Sequence, residues 1–327
     1  MSRLIISLDF ELHWGVFDHV ALDEAGRNYF LRTRELVHTL LDRFQQKDIH
    51  ATWATVGLLF ARTKADILAT LPDELPAYRN QALNPYALLD DIGRDEDEDP
   101  YHYAASLIER ILATPGQALG SHTYSHYYCL EPGQDGTAFA ADLAAAQRIA
   151  ERMFGTRLTS LVYPRNQYVP AYAAALTDNR FRSYRTNPNV WFWQAESAES
   201  TGLLQKAARL ADHYVSLDQQ SSFSAPQVLA QQPVDIPASR FLRPYLPKID
   251  GFGGQSLKIR RICHELTAAA RSGRDYHLWW HPHNMATDPH KNFAALDHIL
   301  DHFAAVRQQY GMQSVSMEEL ASTNAPH

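Results

Sequence analysis

Two acidic residues stand two apart in SLDFELHWG, residues 7–15, directly after a short apolar run. In an extended strand Asp9 and Glu11 project from one face while Phe10 points away. Carboxylates held that close repel, and one of them takes up a proton unless a cation intervenes. A second group lies in GSHTYSHYY, where His122 and His126 are four apart after another apolar stretch. On a helical turn that spacing puts both imidazoles on one side; with a carboxylate from another strand they form a two-histidine, one-carboxylate metal site with positions open for water and substrate. No glutamate lies between them, so this is not the HExxH arrangement. A third group ends YHLWWHPHN, where His281 and His283 share a face with Trp279 and Trp280 lies opposite. A histidine at a strand end, with an unperturbed pKa near 6.5, is suited to deliver a proton at neutral pH. In VYPRNQY, Arg165 closes a further strand, and a guanidinium beside a carboxylate keeps it ionised and oriented, as a general base requires.

These groups can act together only if their strands are parallel neighbours, because in parallel βα architectures the functional face is at the C-terminal strand ends. The chain alternates short β-rich runs with longer stretches of helical periodicity. RLIISLD predicts a first strand, and NYFLRTRELVHTLLDRFQQKD carries Phe30, Leu31, Val37, Leu40, Leu41 and Phe44 at helical spacing before a second strand at HATWATVG. Further strands are expected at QALGSH, LTSLVYP, RFRSYRT, VDIPASRFLRPY and DYHLWW, with helices between them, one of them near STGLLQKAARLADHYV. Six to eight such strands predict an α/β fold, a closed or nearly closed βα barrel. With no internal repeat and no Gly/Ser linker, a single domain over 1–327 is expected, with insertions at 66–100 and 187–197. The first ends in DDIGRDEDEDP and reads as a solvated acidic loop. The second, NPNVWFWQAES, has three aromatics that either line a sugar-binding cleft or cover the barrel end.

Composition narrows the partners. The 327 residues are 45% hydrophobic and 20% charged, an ordinary globular balance, and 30 Lys+Arg against 37 Asp+Glu give a net charge of −7. No broad basic surface is available for phosphate backbones, so nucleic acid is excluded as a partner class. Cys129 and Cys263 form no CxxC pair, which argues against a disulfide framework or a thiolate metal site. The apolar run near the N-terminus, only about four residues long, is too short for a signal peptide or a membrane span. The expectation is a cytoplasmic chain without membrane insertion; the oligomeric state is left open.

Taken in order, the four stretches resemble the signature of the polysaccharide deacetylase family, the NodB homology domain or carbohydrate esterase family 4. Its first motif usually reads TFDDG, and SLDFELHWG resembles the D-x-D/E variant, which implies Asp9 as general base and Glu11 as metal ligand. H-[ST]-x-x-H is matched by HTYSH, implying His122 and His126 as metal ligands, and L-x-x-H by LWWH, implying His281 as general acid. The third motif, R-x-P-Y, is inverted in YPRNQY, where Arg165 is the partner expected for Asp9; SYRTNPNVWFW offers Arg185 and Trp191 for the fourth. The resemblance spans residues 3–285 and implies a distorted (β/α)7–8 barrel. It also implies hydrolysis of an N-acetyl or N-formyl group on an amino sugar or glycan, in cell-surface polysaccharide or O-antigen biosynthesis, with a divalent cation, zinc for two imidazoles. Substrate contacts are expected from Trp14, Trp191 and Trp279, with His283 and Asn166. Glu11 is the departure: relatives with glutamate there include enzymes that work without metal. A metal-free, allantoinase-like amide hydrolase and a non-catalytic glycan-binding barrel are the alternatives.

Overall fold

The computed structural model describes residues 2–188, 190–194, 197, 202–215 and 222–323. Chain order runs β1 (Arg3–Phe10), α1 (Glu24–Lys47), β2 (Ala51–Thr55), α2 (Lys64–Leu68), α3 (Ala105–Leu112), β3 (Gln117–Ser121), α4 (Gly136–Phe154) and β4 (Ser160–Val162). It continues with α5 (Ala173–Asp178), β5 (Ser183–Thr186), α6 (Leu203–Asp212), α7 (Ala225–Leu229), β6 (Val234–Pro237) and β7 (Arg240–Phe241). The last elements are α8 (Pro247–Ile249), α9 (Gln255–Arg271), β8 (Tyr276–Trp280), α10 (Pro289–Tyr310), β9 (Gln313–Val315) and α11 (Met317–Ser322). Of the expected insertion at 187–197, Asn189, Ala195 and Glu196 lie outside the described residues, as do Ser200 and Thr201 before α6.

The helices form where the apolar spacing predicts them. In α1, Phe30, Val37, Leu40, Leu41 and Phe44 are buried, while Leu31 faces solvent. Asp23 accepts from Gly26 N at 2.9 Å to cap its start, and Asp48 ends it in the left-handed conformation.

The strands pair in parallel in the order β6-β5-β4-β3-β2-β1-β8-β7, with β9 added beside the start of β1. The two edges, β6 and β7, are separated by only Ala238 and Ser239, a step of roughly 11 Å at most. Ala238 N donates to Thr186 O at 2.8 Å on one side and Ser239 N to His277 O at 2.8 Å on the other. The sheet therefore curls until one continuous stretch of chain bridges its edges, giving the distorted parallel βα barrel expected. VDIPASRFLRPY, read as one extended run, is these two strands.

β1 is buried on both faces, and its alternation sets the character of the interior. Leu4, Ile6, Leu8 and Phe10 pack outward against the helices. Ile5 joins Ala54, Val162, Ile236, Met317 and Leu320 in a separate apolar cluster that fills the lower barrel. On the same face follow Ser7, then Asp9, so the interior turns polar towards the C-terminal strand ends. β9 and α11, absent from the sequence-based expectation, supply that lower plug.

The insertion at 66–100 is less solvated than its composition predicts. Arg94 and Glu98 pair on the surface, but Asp99 is buried, accepting from Gly93 N at 3.0 Å and bonding His102 Nδ1 at 2.8 Å. His102 Nε2 meets His13 Nδ1 at 2.8 Å, which ties the insertion to the turn at Leu12–Gly15 after β1. Cys129 and Cys263 are both free and buried.

Candidate active site

Asp9 is the last interior-facing residue of β1, and the guanidinium that holds it comes from β5. Arg185 Nη1 donates to Asp9 Oδ1 at 2.7 Å and Nη2 to Oδ2 at 2.8 Å, a bidentate pair out of water. Arg185 also donates to Ser7 Oγ at 3.0 Å and Asn166 Oδ1 at 2.9 Å, and lies 4.1 Å over the Trp279 ring. Burial alone would raise the Asp9 carboxyl; the Arg185 charge, with help from His122, outweighs it and holds Asp9 below its usual range. The expected Arg165 partner is therefore corrected to Arg185. Arg165 turns away to pair with Asp18 and stacks 4.1 Å over Tyr128. Its residue is in the left-handed region, φ 52°, which swings the side chain off the strand direction.

Glu11 lies just past the end of β1, its backbone already leaving the strand at φ −134°, ψ −18°. Its Oε2 is 3.1 Å from His126 Nε2 and 3.4 Å from His122 Nε2. Its Oε1 is 3.8 Å from both His281 Nε2 and His283 Nδ1. The histidines do not sit on a helical turn as the i, i+4 spacing suggested. Residues 122–126 form a loop with Thr123 at φ 62° and His126 at φ 58°, which brings the two rings to 5.0 Å between centroids.

That loop is pinned from two sides. His122 N donates to Thr55 O at 2.9 Å, and Gly57 N donates to Thr123 O at 2.9 Å. A β-carbon on Gly57 would sit 2.7 Å from Tyr124 Cα, so the close approach requires glycine. From α4, buried Asp142 accepts from Tyr124 N at 2.6 Å and Ser125 N at 3.1 Å, and also takes the Ser125 hydroxyl. Asp142 went unnoticed in the sequence, although a lone aspartate among Ala138, Phe139, Leu143, Ala146 and Ile149 on an apolar stripe is a readable signal.

The donor set fits a cation. His122 Nδ1 is 2.8 Å from Val162 O, a group that only accepts, so Nδ1 carries a hydrogen and Nε2 is the nitrogen turned towards Glu11. His122 Nε2 is 3.4 Å from Glu11 Oε2, a nitrogen–carboxylate pair that a shared cation would join. Burial lowers His126 to about 4, so its ring is neutral. Tetrahedral zinc–nitrogen and zinc–oxygen bonds imply ligand–ligand edges of about 3.4 Å. The two Glu11–histidine separations, 3.1 and 3.4 Å, match them, and the three ligand atoms all lie within 4.8 Å of one another.

Above this group opens a cleft of about 410 Å³ lined by Asp9, Glu11, His126, Arg165, Asn166, Trp279, His281 and His283, among others. His281 Nε2 is 3.7 Å from Asp9 Oδ2. Asn284 Nδ2 is 3.3 Å from His281 Nδ1, which turns Nε2 towards the carboxylates. Burial and the neighbouring His281 push His283 down to about 3, so it stays neutral.

Two expected sugar contacts do not reach this cleft. Trp14 is fully buried, its indole N–H donating to His102 O at 2.8 Å, because Leu12 at φ 44° reverses the chain after Glu11 and turns Trp14 into the core. Trp191 is exposed on the turn Trp191–Trp193 and does not line the cleft. Asn166 lines it, but its Oδ1 is committed to Arg185. Of the aromatics, Trp279 forms a cleft wall.

Comparison with known proteins agrees with this geometry. The profile of the polysaccharide deacetylase family matches residues 17–183, a stretch that includes His122, His126 and Arg165. No curated protein matches the chain by sequence. Among solved structures, a probable polysaccharide deacetylase from Pseudomonas aeruginosa PAO1 superposes with TM-score 0.57 at 12% identity, covering 100% of this chain and 93% of that one. A second protein of that description, from Mycobacterium smegmatis, gives TM-score 0.57 at 14% identity, covering 98% and 90%. The allantoinase Puue gives 0.55 at 11% identity, covering 100% and 92%. At these identities the likeness is one of fold.

Proposed function

The chain belongs to the polysaccharide deacetylase family, whose profile covers residues 17–183, and from that premise we propose that it is a metal-dependent hydrolase removing an N-acyl group, acetyl or formyl, from an amino sugar. The observation that carries the metal dependence is the convergence of Glu11 Oε2 on His122 Nε2 and His126 Nε2, with the buried His126 ring held neutral. Glu11, His122 and His126 would hold the ion, zinc by the donor set. When bound there, it supplies Lewis acidity towards a carbonyl oxygen and acidifies water.

The chain's own residues supply the proton transfers. Asp9, kept ionised by Arg185, accepts the proton of the attacking water. His281, with Nε2 3.7 Å from Asp9 Oδ2, acts as the general acid: its protonated ring gives a proton to the amide nitrogen as the C–N bond breaks and is recharged by the proton Asp9 took from water. Trp279 and His283 wall the cleft around the sugar. Water thus divides into the hydroxyl gained by the acid product and the hydrogen gained by the amine. The metal-free reading requires a second proton on His122 or His126 in place of the cation, and burial opposes that at His126. The role in cytoplasmic surface-polysaccharide or O-antigen biosynthesis belongs to the same proposal and is supported by the PRNQ and HPHN strand endings.

The test is release of acetate or formate from N-acylated amino sugars. Asp9→Asn and His281→Ala are each expected to lower kcat/KM by about 10²–10⁴-fold, the usual worth of a positioned general base or acid. Turnover near the parent value in both variants would overturn the assignment.

A further inference from the structure

We propose that the substrate carries an anionic group, a phosphate or a carboxylate, next to the N-acyl sugar, and that Arg243 receives it. This rests on the amide-hydrolase reading of the cleft.

Arg243 lies three residues past Arg240 on the turn that follows β7, and lines both the cleft and the narrow cavity that continues from it. Every cation around it is already matched. Arg165 has Asp18, Arg240 has Asp212 and Glu265, and Lys258 has Asp250 at 2.5 Å. Arg243 alone among these four makes no ion pair with the described residues, and its Nε is buried without a hydrogen-bond partner. Asp250, the carboxylate that most nearly faces it, is taken up by Lys258, Tyr214 OH at 3.2 Å and Leu246 N at 2.7 Å. Partial burial without a counter-charge accordingly lowers the Arg243 pKa.

The turn itself is held rigidly. Leu242 N donates to Trp279 O at 2.8 Å, and Tyr245 N donates to Asn292 Oδ1 at 2.7 Å. Lys258 Nζ donates to Arg243 O at 3.3 Å and Pro244 O at 3.2 Å. A pinned backbone thus presents one uncompensated guanidinium to the cleft that also holds Asp9 and His281. A neutral sugar would leave that cation partly desolvated and unpaired. An anionic oxygen pair would satisfy it with the fork geometry guanidinium favours.

Calorimetric titration of the metal-loaded enzyme with glucose 1-phosphate and with glucuronate, using glucose as neutral control, reads this without turnover. Expected is binding of at least one anionic sugar, weakened about tenfold or more in Arg243→Gln and partly recovered in Arg243→Lys, with glucose unaffected. The tighter of the two anions identifies phosphate or carboxylate as the source. Equal affinities of parent and Arg243→Gln for both anions, or no binding of either by the parent, would overturn the proposal. Acetate release by the same preparation reports amide hydrolysis separately, so failure of one reading is distinguishable from failure of the other.

Discussion

Glu11 is one methylene longer than the aspartate usual at its place, and the structure makes room for that length at Gly15. A β-carbon there would lie 2.1 Å from Glu11 Cδ and 2.4 Å from each carboxylate oxygen. Gly15→Ala is therefore expected to displace the carboxylate and weaken metal affinity about 10–100-fold, as loss of a ligand's support typically does; competition against a metal-sensitive chelator measures it, and unchanged affinity would contradict the steric account. The two arginines can be told apart by stability. Arg185→Met leaves Asp9 buried and unpaired and is expected to cost about 3–5 kcal/mol. Arg165→Met breaks a partly exposed pair and one ring contact, worth about 1–2 kcal/mol; urea denaturation compares them, and equal losses would argue against Arg185 as the anchor. At this scale the sequence was most legible where strand alternation fixes direction: Asp9, Glu11 and His281 converge because each ends a strand. Arg165 follows β4 and Arg185 lies within the neighbouring β5, so residue type alone could not separate them. What does is the small interior, where Ser183 Oγ donates to Ser160 Oγ at 3.0 Å and Ser7 receives Arg185, leaving a guanidinium-sized space.

The element that carries most of the site is the loop 122–126, and its shape was the least predictable part. An i, i+4 pair reads as a helical turn, yet Thr123 and His126 both take positive φ, and the strain is held by contacts remote in sequence. Asp142, 18 and 17 residues from Tyr124 and Ser125, is the clearest of these. Asp142→Ala would orphan two buried backbone donors and a hydroxyl; we expect a loss of about 3 kcal/mol or more and a drop in metal affinity of about 10–100-fold. Calorimetric unfolding and metal titration measure the two effects, and a variant that unfolds earlier yet binds metal as the parent does would show that Asp142 serves the fold alone. The strands and long helices were legible because apolar periodicity dictates them. The failures have a common cause: Trp14 and the acidic insertion were misjudged where a turn after Glu11 and the buried Asp99–His102–His13 chain join segments about 90 residues apart, which no local pattern records.

Across the molecule, the barrel works as a gradient. Apolar Ile5 and α11 close one end, Ser7 and Arg185 fill the middle, and Asp9 opens on the other end beside the Glu11–His122–His126 group. No helix among the described residues is long and apolar enough to cross a membrane. The parallel order explains why residues from β1, the loop after β3, β5 and the end of β8 meet at one rim: every strand points the same way, and the short link between β6 and β7 closes the ring. The central claim is that this rim holds one divalent cation on which amide hydrolysis depends. The most direct measurement is metal content and acetate release on one preparation, before chelation, after exhaustive chelation, and after metal is restored. The account predicts about one ion per chain, activity lost with the ion and regained with it, and neither present in His122→Ala. Hydrolysis that persists at full rate in the metal-free protein would contradict it.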